Sequence, residues 1–83
     1  MKDKYYLYRL DTEGDAEIYG AFTSLNMATL SASLLLIRDF CFILSGDLTK
    51  MYFYNNGIWE YDILTEKGRT ELFEIYPHPD DYK

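Results

Sequence analysis

The side chains able to do chemistry are few in kind. One histidine, His78, stands between Pro77 and Pro79, and one cysteine, Cys41, stands among Phe40, Phe42 and Ile43. A general base must be held within hydrogen-bond reach of the proton it removes, and a residue between two prolines near the end of the chain promises no such rigidity. Apolar surroundings raise a thiol's pKa and hide it, so Cys41 is expected in the core rather than as a nucleophile. A single His and a single Cys exclude a disulfide framework, a Cys/His zinc site and most triad chemistry.

Carboxylates are the abundant group. Asp11, Glu13 and Asp15 fall close together and superficially offer the oxygen ligands of a calcium loop. Such a loop needs Asp or Asn at its third position, Gly at its sixth and Glu at its twelfth. Counted from Asp11, the third is Glu13, Gly14 comes two residues early and the twelfth is Phe22, so an acidic hairpin turn is the better account. Glu60 and Asp62 could serve glycoside chemistry, but no facing carboxylate is identifiable. Gly14, Gly20, Gly46, Gly57 and Gly68 are scattered and make no phosphate loop. The residues predict no catalytic set, no metal site and no cofactor, and the chain is expected not to be an enzyme.

Eighty-three residues allow one domain. Apolar residues at 48% and charged residues at 27% fit a globular chain rather than a disordered one. Fourteen acids against eight bases give a net charge of −6, which opposes general nucleic-acid binding and binding to anionic membranes. The start, Met1-Lys2-Asp3-Lys4, meets tyrosines with no apolar leader core. No apolar run approaches the ~20 residues that span a bilayer. With one Cys in an apolar stretch, the expected compartment is the cytoplasm, that of the host if a phage encodes the chain.

The elements that must position these residues can be read from spacing. Lys4 to Leu10 and Ala16 to Phe22 read as a hairpin around Asp11–Asp15, with Ile18, Gly20 and Phe22 on one face of its second strand. Thr23 or Ser24 can cap a helix expected over 25–38, with Met27, Leu30, Leu34 and Ile37 as its apolar stripe, widened by Ala28, Ala32 and Leu35, and Asn26, Thr29, Ser31 and Ser33 outward. Phe40 to Leu44 is continuously apolar, as in a central strand. Thr49 to Tyr54 and Ile58 to Leu64 read as a hairpin closed by Asn56-Gly57, which suits a type I′ turn. Thr70 to Tyr76 alternates as a last strand, with a short helix as the alternative. The expectation is an α+β domain over 1–76: an antiparallel sheet of about five to six strands in the order β-β-α-β-β-β-β, one helix on one face, tyrosines on the other and a flexible tail over 77–83.

Binding is the remaining source of function. Fifteen aromatics, nine of them Tyr, could stack bases, yet no basic-Gly-aromatic string accompanies them. A small sheet-based nucleic-acid-binding module is therefore one alternative, and direct nucleic-acid binding is not the leading expectation. Residues i and i+2 of a strand share a face about 6.6–6.8 Å apart, so Glu60 and Asp62 could present two charges to a basic groove. Tyr and Trp are enriched at interface hot spots, and complementary charge speeds encounter. Partner contact is expected at Glu60, Asp62, Tyr54 and Tyr61, and at the hairpin acids Asp11, Glu13, Asp15 and Glu17.

In size, charge and composition the whole chain resembles the small acidic inhibitors that phages encode against host nucleases and defence complexes, such as anti-CRISPR and antirestriction proteins. It is equally similar to small acidic immunity proteins and antitoxins, and no motif marks a family. The resemblance implies a protein-binding inhibitor of a basic nuclease or nucleoprotein complex, acting by occlusion or local nucleic-acid mimicry. The alternative is an immunity protein or antitoxin that neutralises a cognate toxin. A second copy of the chain is a further candidate partner.

Overall fold

The computed structural model describes residues 4–82. The charged start at 1–3 and Lys83 of the expected tail lie outside the described residues. Among the described residues five strands form one antiparallel sheet: β1 (Tyr5–Leu10), β2 (Ala16–Phe22), β3 (Cys41–Ser45), β4 (Lys50–Asn55) and β5 (Ile58–Ile63), in spatial order β2-β1-β3-β4-β5. Two helices, α1 (Leu25–Leu34) and α2 (Glu66–Ile75), cover opposite faces, and the fold is α+β. The continuously apolar β3 is the central strand and is buried throughout. Asn56 and Gly57 both take positive φ, 51° and 86°, as the type I′ turn requires.

Alternation along the strands divides the core. Leu7, Cys41 and Ile43 face α1 and meet Ala28 and Ala32. Tyr6, Tyr8, Phe42 and Leu44 face α2 and meet Leu72, Phe73 and Tyr76. One residue departs from simple alternation. Leu7 pairs with Gly20 but Tyr8 pairs with Ile18, so Tyr19 is an extra residue in β2. That β-bulge turns Ile18 to the α2 side, away from the face of Gly20 and Phe22 on which the sequence reading placed it.

The expected last strand is a helix. Thr65 caps α2 by accepting the Gly68 N–H at 3.0 Å, and Leu72, Phe73 and Tyr76 then recur on one side. Thr70 to Tyr76 satisfies a period of two and a period of 3.6 at once. The second layer decides between them, because Tyr6 and Tyr8 would otherwise lie bare on the sheet instead of buried. Residues 77–82 lie back against that layer. The Tyr8 hydroxyl donates to the Pro77 carbonyl at 2.6 Å, Pro79 is buried, and Tyr82 meets the Tyr6 ring edge-on. Burial keeps the Tyr8 phenol well above the ordinary tyrosine range.

α1 also differs from its reading, ending at Leu34 rather than running to residue 38. Its inward face is Ala28 and Ala32, both with no exposure, beside Leu25. Met27, Leu30 and Leu34 point to solvent. Alanines let the helix lie close to the sheet, and Ile37 reaches the core from beyond the helix end.

Candidate protein-binding surfaces

The outward face of α1 carries no charge. Ser24 caps the helix by accepting the Met27 N–H at 3.1 Å. The Thr29 and Ser33 hydroxyls donate to the carbonyls of Asn26 and Thr29, each at 3.1 Å, so two of its polar groups are satisfied within the helix. Apart from Asn26, the exposed side chains of the helix are the large apolar ones of Met27, Leu30 and Leu34, where a solvated helix would be polar.

The helix then stops in a Schellman motif. The Ile37 N–H donates to the Ala32 carbonyl at 3.0 Å and the Leu36 N–H to the Ser33 carbonyl at 3.2 Å. The residue at the left-handed position is Leu36, with φ 59°, where glycine would be free of strain. A left-handed non-glycine residue costs roughly 1–2 kcal/mol. Leu36 is 82% exposed, so burial within the chain does not offset that cost. Leu48 is the internal contrast. It also has positive φ, 61°, but its side chain packs on the α2-side core and its carbonyl accepts from Arg69 Nη1 at 3.3 Å.

Leu35, Leu36, Ile37 and Phe40 line a groove of about 810 Å³ together with Leu10, Arg9, Asp11 and Thr12. The neighbouring 3₁₀ turn, Arg38–Phe40, adds Arg38 and Asp39, both exposed. On the same side of the sheet, β4 and β5 carry an aromatic strip. Tyr52 meets Tyr5 and Tyr61 with ring centroids 6.2 and 5.7 Å apart, and Tyr54 meets Trp59 at 5.4 Å. The Arg38 guanidinium lies 4.6 Å from the Tyr54 ring centre, and the Lys50 ammonium 5.0 Å from that of Tyr61. These are cation–π distances.

The expected contact residues divide between faces. Glu60 pairs across from Phe53 and Asp62 from Met51, which places both acids on the α2 side, on edge strand β5. Tyr54 and Tyr61 pair with Trp59 and Tyr52 and lie on the α1 side. Glu60 accepts a long hydrogen bond from Asn55 at 3.4 Å, and Asp62 is exposed. In the hairpin turn, the Asp11 carboxylate accepts the N–H groups of Glu13 and Asp15 at 2.8 and 3.0 Å, so it organises the loop. Glu13 and Asp15 are exposed at the tip, and Glu17 pairs across from Arg9.

Cys41 is buried, and burial followed by the charge of Asp39 pushes its thiol up to about 11. His78 accepts the Asp80 N–H through Nδ1 at 3.0 Å and lies against Phe73. Among the described residues no three His, Cys, Asp or Glu side chains gather to hold a metal, and no helix is long and apolar enough to cross a membrane. No protein family, curated protein or solved structure matches this chain.

The apolar surface was missed by sequence reasoning. Its signal was present: the expected stripe was broad, and it turns inward on its Ala28 and Ala32 margin, which leaves Met27, Leu30, Leu34 and Leu35 exposed.

Proposed function

We propose that this chain is a non-enzymatic, protein-binding inhibitor whose partner is a basic, nucleic-acid-handling protein. On this reading it covers the partner's nucleic-acid groove by occlusion or local mimicry, as phage anti-defence proteins do, in the cytoplasm of the cell under attack. The observation that carries the reading is the segregation of acids. Glu60 and Asp62 project from an edge strand on the α2 side, and Glu66, Glu71 and Glu74 are exposed on α2 itself. Lys67 is the exposed base on that helix. A concentrated acidic side steers a basic partner by long-range attraction screened over about 8 Å at physiological salt.

The test is affinity capture from a defence-competent bacterium, followed by binding measurements on the recovered partner. A basic nuclease or nucleoprotein subunit whose association slows with rising salt, and slows again with Glu60→Lys/Asp62→Lys, supports the reading. A cognate toxin encoded beside the gene would make the chain an immunity protein or antitoxin instead. Binding that is indifferent to salt and to the lysine pair overturns the role of the acids. The aromatic strip with Arg38 and Lys50 favours a second reading, a sheet that stacks single-stranded nucleic acid. Fluorescence anisotropy with a labelled oligonucleotide decides it, because stacking on that strip is lost in Tyr61→Ala.

A further inference from the structure

We infer that the outward face of α1 seats a second copy of this chain, in a two-fold dimer built on α1, Leu36 and Phe40. Three observations converge. First, Met27, Leu30, Leu34, Leu35, Leu36 and Phe40 are all exposed, and they run continuously along the helix into the groove beyond it. Second, Leu36 holds a strained left-handed backbone with its side chain in solvent. Strain of that kind persists where it serves a contact, and Leu48 shows that a left-handed leucine elsewhere in the chain is packed.

The third observation selects the occupant. The chain carries −6, so two copies repel unless they meet on neutral ground. No acid or base occurs between residues 18 and 37, and the two charged residues that line the groove, Arg9 and Asp11, are of opposite sign. In a two-fold interface a residue that meets another across the axis is met in turn by its counterpart, so a lining with one charge of each sign can pair with itself. A strongly basic partner would be drawn to the α2 side instead. The dimer leaves both acidic sides outward, so the proposed partner-binding surface stays free in each copy.

Sedimentation equilibrium of the full chain from about 1 µM to about 1 mM is the test. A species of twice 9.8 kDa should accumulate with concentration. It should also strengthen from about 0.05 M to about 0.5 M salt, because screening removes the repulsion between like-charged copies. Leu34→Glu should weaken the dimer by at least about tenfold while leaving the far-ultraviolet circular dichroism unchanged. Should Leu34→Glu unfold, Leu36→Gly gives the same reading with a relaxed backbone: weaker dimer, more stable monomer. A monomer at every concentration and salt overturns the proposal and leaves the face to a different protein. A dimer untouched by Leu34→Glu and Leu36→Gly overturns it too. Partner capture that survives in Leu34→Glu keeps the acidic-side reading independent of either result.

Discussion

α1 and α2 are ten residues each, each opened by a hydroxyl that accepts the amide three positions on, and each laid on one face of the same sheet. What they turn outward differs. α2 buries its bulk as Leu72 and Phe73 and exposes Glu66, Lys67, Thr70, Glu71 and Glu74, with Ile75 its one large apolar outlier. α1 fully buries only Ala28 and Ala32, with Leu25 partly buried beside them, and exposes Met27, Leu30 and Leu34. The first arrangement is complete in water. In the second, the large hydrophobic side chains gain little from folding. The contrast extends to charge: Glu66, Glu71 and Glu74 are exposed on α2, beside Glu60 and Asp62 of β5, whereas α1 carries no charged residue.

The largest effect should come from deleting bulk beneath α2. Phe42 stacks on Tyr8 at 4.6 Å and lies 5.4 Å from Tyr76, so Phe42→Ala should cost about 3–5 kcal/mol. A domain of this size holds only about 4–12 kcal/mol in all, so urea unfolding should show a fall that approaches loss of the fold. Leu34→Ala, measured at monomeric concentration, should stay within about 0.5 kcal/mol of the parent. A comparable loss in both would erase the distinction between the helices.

Next comes the opposite change at the α1 seat. Ala32 has no exposure and belongs with Leu7, Cys41 and Ile43, so Ala32→Leu should overpack the layer at about 1–3 kcal/mol. An unchanged urea midpoint would mean that α1 does not rest closely on the sheet.

The two left-handed leucines give a smaller and sharper pair. Leu36→Gly relieves backbone strain and removes no internal contact, so the monomer should gain up to about 1 kcal/mol. Leu48→Gly relieves the same strain but gives up packing against the α2-side core, and should show no gain. Equal gains in both would place Leu36 and Leu48 in one class and remove the strain argument for the α1 face.

Legibility of the fold followed how many readings each segment allowed. Asn56-Gly57 permits one turn, and the hairpin around it stands where the spacing put it, within a residue at either end. The run Phe40 to Leu44 marked the centre of the sheet because it is continuously apolar and, unlike Tyr5–Tyr8 and Met51–Tyr54, carries no tyrosine hydroxyl. It also implied cover on both faces, which is the signal that Thr70 to Tyr76 had to form a layer rather than extend the sheet. α1 was legible as a helix but not in orientation, since periodicity locates a stripe and not what the stripe meets. The separation of Glu60 and Asp62 from Tyr61 was visible in strand alternation. The left-handed turn at Leu36 was not, because leucine carries no turn signal. Nor was the bulge at Tyr19, which depends on the pairing of two strands.

The smallest effect concerns what holds Leu48 in place while Leu36 stands alone. Asp47 accepts from the Thr49 hydroxyl and from the Ser45 hydroxyl, each at 2.7 Å, and from the Thr49 N–H at 3.1 Å. These bonds, the Thr49 hydroxyl first, lower its carboxyl from 3.8 to about 2. The folded-state pKa lies below the unfolded one, so the charged form stabilises the fold. That contribution is fully present above pH 3.8 and is lost as pH falls through about 2. Asp47→Asn keeps an oxygen acceptor for the same donors and removes only the charge. The parent should therefore be the more stable of the two at pH 5 and should lose that lead by about pH 2, as read from urea midpoints at both values. Asp47 is open to water, so the lead should be the least of the effects described. A lead that persists at the lower pH would mean that the Ser45–Thr49 turn does not depend on the carboxylate, and that core packing and Arg69 hold Leu48 without it.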